Sequence, residues 1–452
     1  MNTLNRLTSR LAMGALSAHA LIEEALERIA DPRGEGSRAF MTVARESARL
    51  QAEEFDRRRS AGEVLPPFAG IPLGIKDLFD VAGEVTRAGS RVLENDPPAA
   101  RDAFAIACLR AAGFIFIGRN NMTEFAYSGL GLNPHYGTPL NPFERSVGRI
   151  PGGSTSGGAV AVADGMATAS IGTDTGGSCR VPAAFTGIVG FKPTASRVPR
   201  QGVVPLSTTL DSIGPLANSV ACCATLAAIM RGVEPRALTQ IALKDIRLVL
   251  PTTLVLDCMD SVVARPFERA IERLGRAGVV VARQRLDGLD EIPQINARGG
   301  FAAAEGYAWH RSLLEQHADR YDPRVATRLL KGRQLGADDL RRLQLDRARL
   351  IKAVDAQAGG FDALVAPTVP IVAPPLASFA QDSEYLRLNA LVLRNPSLAN
   401  FLDRCSLSIP IHEPSEAPVG LMLIGRHDDD ERLLAVAGAL ESALRAGNPA
   451  RS

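Results

Sequence analysis

The 452-residue sequence predicts an α/β protein with a mixed central β-sheet covered by helices. Three observations carry that reading. Short apolar runs alternate with helix-periodic segments along the chain. Gly and Pro punctuate the joins. Hydrophobic residues make up 46% and charged residues 22%, enough to bury a sizeable core. The length accommodates one large domain or two to three smaller ones.

In chain order, "SAHALIEEALERIA" places Leu21, Ala25, Leu26 and Ile29 at helical spacing. A second helix is expected from Phe40 to Arg59, ending in a solvated Arg57-Arg58-Arg59 run. "FAGIPLGIKDLFDVAG" reads as a short apolar strand with a Gly-Pro bend and a lysine in an apolar setting, and "DAFAIACLRAAGFIFIG" as helix, glycine stop and strand. Residues Gly152 to Arg180 parse as loop, helix (Gly157 to Met166), strand ("ATASIGT") and a turn cluster closed by Pro182. "IRLVLPTTLVL" and "ERAIERLGRAGVVVARQRL" repeat the alternation, and Ala297 to Gln357 shifts to charged helix. "FDALVAPTVP" and "PVGLMLIG" look like late buried strands before a closing helix in "DDERLLAVAGALESALRAG".

The 51 basic and 49 acidic residues give a net charge of +2, which argues against nucleic-acid binding on a broad basic surface. Cys108, Cys179, Cys222, Cys223, Cys258 and Cys405 form no CxxC pair, the pattern of a reduced cytoplasmic protein. The N-terminal residues lack the apolar core of a secretory signal. The apolar run from Ala363 is interrupted by four prolines and too short to span a bilayer as a helix. These observations favour a soluble cytoplasmic protein with no membrane partner.

Ser154 and Ser178 each follow a Gly-Gly pair and stand 24 residues apart. A phosphate loop would need a lysine beside the hydroxyl, and neither segment has one. A flexible linker would not enclose a helix and strand rich in Ala, Val and Ile. The residues themselves leave a tight structural turn and a catalytic site both open. A serine nucleophile needs a proton acceptor and fixed N–H donors near the carbonyl it attacks, and Thr175-Gly176-Gly177-Ser178 is suited to supply the donors. None of the six histidines, His19, His135, His310, His317, His412 and His427, is singled out by its context. Lys76 is the other candidate base. To serve near neutral pH its pKa must fall from about 10.4 to roughly 7, a bias of about 4.6 kcal/mol against the ammonium.

"GIPLGIKD", "PGGSTSGGAVAVADG", "GTDTGGSCRVPAAFTGIVGFKPT", "GVVPLSTTLDSIGPLANSV", "NMTEFAYSG" and "APVGLMLIG" together resemble the amidase signature family. The resemblance implies a single large domain over residues 1–452, with an N-terminal helical segment at 1–60. It also implies a variable helical region at 297–357 that shapes the substrate entrance. It implies hydrolysis of a small aliphatic or aromatic carboxylic amide to acid and ammonia or amine, without metal or cofactor. Ser178 would form the acyl-enzyme. Ser154, beside a cis peptide, would relay its proton to Lys76. The backbone amides of Thr175, Gly176, Gly177 and Ser178 would form the oxyanion hole. Met122 and Thr123 would wall the acyl pocket.

Asp174 and Arg180 are expected to stiffen the loop by pairing. Thr155 stands where relatives commonly carry Ser or Gly, and Cys179 where they carry an aliphatic residue. Thr155 keeps a hydroxyl, and Cys179 is not expected to be the nucleophile because Ser178 holds the matching position. The resemblance also allows a homodimer. It equally covers the glutaminase component, the A chain, of a tRNA-dependent Glu/Asp amidotransferase, the one setting in which a nucleic-acid partner is expected. A catalytically silent scaffold is the third reading, disfavoured by retention of Lys76, Ser154 and Ser178.

Overall fold

The computed structural model describes residues 3–446, so the outermost ends of the domain expected over 1–452 lie outside the described residues. Eleven strands form one sheet. They are β1 (Phe40–Val43), β2 (Pro72–Lys76), β3 (Ile115–Asn120), β4 (Ala169–Asp174), β5 (Val189–Lys192), β6 (Ser212–Ala217), β7 (Arg247–Pro251), β8 (Val280–Gln284), β9 (Ala363–Pro367), β10 (Ser406–Pro410) and β11 (Gly420–Ile424). The spatial order is β1-β3-β2-β4-β6-β5-β10-β11-β9-β7-β8. Its pairings are mixed: β2 runs parallel to β3 and β4, whereas β4 is antiparallel to β6 and β10 to β5 and β11.

Strands β2, β3 and β4 are buried along their whole length, as expected of strands covered on both faces. The helix Ser156–Ala163, "SGGAVAVA", is buried through Val162 and packs against β4. Its small side chains explain why it has no polar face: a helix enclosed by sheet and neighbours needs none. One apolar cluster runs from the N-terminal helices through the sheet to the closing helix Asp430–Arg445.

Two expectations are revised. The helix expected from Phe40 begins as β1, and the helix itself spans Arg45–Ser60. Phe40-Met41-Thr42-Val43 instead extends the sheet antiparallel to β3, where β-branched and aromatic residues fit the pleat. Among the described residues, the 1–60 segment therefore consists of four helices joined by short turns and interrupted by that strand. The arginines at the helix end are paired at the surface, Arg57 with Glu54, Arg58 with Glu63 and Arg59 with Asp56. Strands β5, β6 and β10 have no counterpart in the sequence reading.

Residues 297–357 hold the helices Gly300–His317, Pro323–Leu330 and Ala337–Ala358. All six cysteines are free, and only Cys258 is exposed. Among the described residues no helix is long and apolar enough to cross a membrane.

Candidate active site

Lys76 ends β2 and is completely buried, although strand propensity gives no reason to place an ammonium there. Its Nζ lies 2.8 Å from Ser154 Oγ and 2.9 Å from Thr173 Oγ1. Among the described residues no carboxylate pairs with it. Burial pushes the lysine pKa down to about 8, against weaker opposing pulls from Cys179, Asp174 and Asp211. Two hydroxyls can solvate a neutral amine, whereas a buried ammonium without a counter-ion is expensive.

Ser154 reaches this position because two loops meet backbone to backbone. A Cβ on Gly131 would sit 2.3 Å from the Gly152 carbonyl oxygen, so no larger residue fits the crossing. Gly153 donates its amide to the Gly129 carbonyl, and the Gly153–Ser154 peptide is cis. The Ser154 carbonyl accepts from the Thr123 amide at 3.1 Å, and the next residue, Thr155, donates its amide to the Ser178 carbonyl at 3.4 Å. The two serine segments are thereby joined.

Ser178 stands on the loop between β4 and the helix Arg180–Thr186. Gly177 has φ +136, and a Cβ there would lie 2.7 Å from Pro396, so glycine is required on both counts. Ser178 Oγ makes no hydrogen bond among the described residues. It faces a cleft of about 460 Å³ together with Thr175 and Gly176. No hydrogen bond joins Ser154 Oγ to Ser178 Oγ among the described residues; the one direct tie between the two serine segments is the backbone bond from Thr155.

The loop is fixed from beneath. Asp174 Oδ1 accepts from the Gly177 amide at 2.8 Å, and Oδ2 from the Cys179 amide at 3.0 Å. Arg180 grips both carboxylate oxygens, at 2.8 and 3.1 Å, and both residues are fully buried. Asn400 bridges them, donating to Asp174 and accepting from Arg180. Burial alone would raise the Asp174 carboxyl, but the Arg180 guanidinium, with help from Lys192 and Asn400, holds it down to about 2. The pairing expected of Asp174 and Arg180 is thus present. Gly177, expected among the oxyanion donors, has its amide committed to Asp174. The amides of Thr175, Gly176 and Ser178 make no hydrogen bond among the described residues.

Met122 and Thr123 do not line the cleft; Ala126, Tyr127 and Ser128 do. Both expected residues are buried, Met122 against Gly89 and Thr123 beneath Gly153. The reason is backbone geometry. Phe125 and Ala126 adopt φ +48 and +59, turning the chain so that it enters the cleft from Ala126 onward.

Thr155 is buried, its Oγ1 without a hydrogen-bond partner among the described residues and its side chain against Gly158 and Gly172. Cys179 is buried, and desolvation raises its thiol pKa far above the ordinary value. Among the described residues no histidine lines the cleft. Buried His310, bonded to the Tyr321 hydroxyl at 2.9 Å, is pushed down to about 3 and stays neutral.

Several site residues escape a linear reading. Thr173 reads only as a strand residue. Asp211, which accepts from the Thr175 hydroxyl at 2.5 Å, and Asn400 come from distant segments. The same holds for the cleft cations Arg328, Lys331 and Arg394. Only their position in the folded chain marks them.

The architecture is that of amide-hydrolysing enzymes. A solved structure described as an amidase aligns over 98% of this chain and 99% of its own, with TM-score 0.88 and 33% identity. The chain belongs to the amidase signature family, whose model, Amidase, matches residues 20–434. It is accordingly an amidohydrolase acting on amide C–N bonds.

Similar curated proteins include the 2-amino-5-chloromuconic acid deaminase of Comamonas testosteroni, 33% identical over 97% of this chain and 96% of that protein. The A component of the glutamyl-tRNA(Gln) amidotransferase of Symbiobacterium thermophilum is 32% identical over 97% of this chain and 96% of its own.

Proposed function

We propose that the chain cleaves a small carboxylic amide through a covalent seryl intermediate, with Ser178 as nucleophile, Ser154 as relay and Lys76 as base. Ser178 Oγ bonds to the carbonyl carbon, and the carbonyl electron pair moves to oxygen. The amides of Thr175, Gly176 and Ser178 receive that charge; one such donor is typically worth about 2.7–4 kcal/mol. The Ser178 proton passes to Ser154 Oγ as the Ser154 proton passes to Lys76 Nζ. Collapse breaks the C–N bond, and the leaving nitrogen takes a proton back along the same path. Water then attacks the ester, is deprotonated by the same relay, and releases the acid and free Ser178.

The observation that carries this reading is the wholly buried Lys76 Nζ, 2.8 Å from Ser154 Oγ, without a carboxylate partner among the described residues. When lysine is charged, that contact runs from Nζ to Oγ. When lysine is neutral it reverses, and Ser154 donates to the nitrogen lone pair. The test is labelling with a serine-directed phosphonate, followed by peptide mapping and a screen of small amides. Label on Ser178 and loss of both label and turnover in Ser178→Ala are expected. Undiminished turnover in that variant would remove Ser178 from the mechanism.

Residues 297–357 act as the entrance in this reading, since Ala297, Ala302, Arg328 and Lys331 lie along the cleft. The enzyme works in the cytoplasm, as a stand-alone protein or homodimer, on substrates that need no metal or cofactor. A second reading, the glutaminase component of a tRNA-dependent amidotransferase, is favoured by the 32% identity to such a component over nearly the whole chain. Turnover of simple amides by the isolated chain supports the first reading. Copurification with a larger tRNA-binding partner supports the second.

A further inference from the structure

We propose that Asn389 is a specificity-determining residue, and that its side-chain NH2 donates a hydrogen bond to a second carbonyl oxygen of the substrate, beyond the scissile one. The inference rests on the amidase reading and adds the substrate class.

Asn389 sits on the helix Asp382–Arg394 and is buried in the wall of the cleft that holds Ser178. Its neighbours settle its orientation. Oδ1 accepts from the Ser128 hydroxyl and from the Gly129 amide, each at 2.9 Å. A backbone N–H can only donate, so turning the carboxamide round would set two donors against each other. The NH2 is the end left over, and Nδ2 makes no hydrogen bond among the described residues. Unlike Asn120 Nδ2, which is sealed without a partner, it stays open to the cleft.

The other carboxamides lining the cleft are committed. Asn400 spends Nδ2 twice on Asp174 and Oδ1 on Arg180, and Asn296 Nδ2 donates to the Ile292 carbonyl. Ser128 is spent as well, donating to Asn389 and accepting from the Leu130 amide.

The free donor lies close to the chemistry. The Gly129 carbonyl accepts from the Gly153 amide at 2.8 Å, so Asn389 stands two hydrogen bonds from the Gly153–Ser154 peptide. A Cβ on Gly129 would lie 2.6 Å from Leu393, one turn beyond Asn389, so helix and loop are in close contact there.

An apolar group covering this N–H strips it of water and returns nothing, whereas an oxygen placed there restores the bond. Sites of this kind reject analogues that lack the partner. Asn389 carries no charge to offset the desolvation of an ion, so the matching acceptor is an uncharged carbonyl. The same cleft wall includes Leu206, Leu210, Leu386 and Ile292, which suit a short methylene segment. The substrate class is a short aliphatic amide with a second, uncharged carbonyl on its acyl side.

The test compares malonamide, succinamide, glutaramide and adipamide with the alkyl amides in which an isopropyl group replaces the second carboxamide. The shapes match and all are uncharged, so the cations of the cleft do not enter the comparison. After halving for its two equivalent amides, the best diamide should exceed its alkyl partner in kcat/KM by about tenfold, independently of salt. Asn389→Asp keeps an acceptor for Ser128 and Gly129 but replaces the donor with a second acceptor, and the ratio should fall to unity or below. Melting curves identify a variant that fails to fold, and the wild-type ratios then decide. Alkyl amides turned over as well as diamides across the series overturn the inference, as does a ratio untouched by Asn389→Asp in a folded protein. Failure of the seryl reading is seen separately, as turnover that survives in Ser178→Ala, and the same ratios are then measured and decide in the same way. If no amide is turned over, calorimetry with the same pairs decides: tighter binding of a diamide that is lost in Asn389→Asp supports the inference, and equal binding overturns it.

Discussion

Replacing Lys76 by methionine, and following acylation of Ser178 against pH in both proteins, tests the chemistry at its weakest point. Burial takes the lysine from its ordinary 10.5 to about 8. At about 1.36 kcal/mol per pH unit, that is about 3.4 kcal/mol against the charged form. At pH 7 about one Lys76 in eleven is then neutral, against about one in three thousand for an exposed lysine, a gain in usable base of about three hundredfold. The wild-type rate with an uncharged phosphonate should rise tenfold per pH unit below about 8 and level off above it.

The unfolded lysine holds its proton up to about 10.5 and the folded one only to about 8, so stability rises with pH between those values. Below about 8 the full penalty is present. Lys76→Met removes it at pH 7 and forfeits two hydrogen bonds worth about 1 kcal/mol each, for a net gain of about 1 kcal/mol. The variant should melt no lower than wild type while acylating about 10²–10⁴-fold more slowly. A rate that is flat from pH 6 to 9, or a Lys76→Met protein with the wild-type rate and profile, would refute the reasoning.

Asp174→Asn leaves Arg180 buried without its counter-charge and should lower stability by about 3–5 kcal/mol in chemical denaturation. The wild-type pair should support the fold above about pH 4 and lose that support as pH falls towards about 2, because the folded carboxyl titrates lower than the unfolded one. Gly172→Ala would place a Cβ 2.6 Å from Thr155 Oγ1 and 2.7 Å from its methyl. Activity should drop and be partly restored by adding Thr155→Ser, and a double mutant no better than the single would disprove the contact. Cys179, buried and with its thiol pKa raised, should resist iodoacetamide in the native protein, and Cys179→Ala should still take the phosphonate label at Ser178.

The sequence by itself brought forward Lys76, Ser154 and Ser178 as candidates, because glycine pairs and a lysine in an apolar setting are local departures from ordinary composition, but it left a structural turn equally open until the family resemblance supplied their roles. It also marked most strands that read as continuous apolar runs, such as β3, β7 and β11. It missed β1, β5, β6 and β10, whose short segments gain their strand character from neighbours rather than from periodicity.

The tertiary structure alone decided which groups meet. Lys76 and Thr173 are 97 positions apart and touch because β2 lies beside β4. Met122 and Thr123 fall outside the cleft because two positive φ angles, at Phe125 and Ala126, redirect the chain by a few residues. The cations of the cleft come from segments far along the sequence, where a lone arginine looks like any other surface charge. Hydrogen bonds and electrostatic fields depend on distance through space. A motif fixes the backbone near itself, whereas the company a side chain keeps depends on how the whole sheet is ordered.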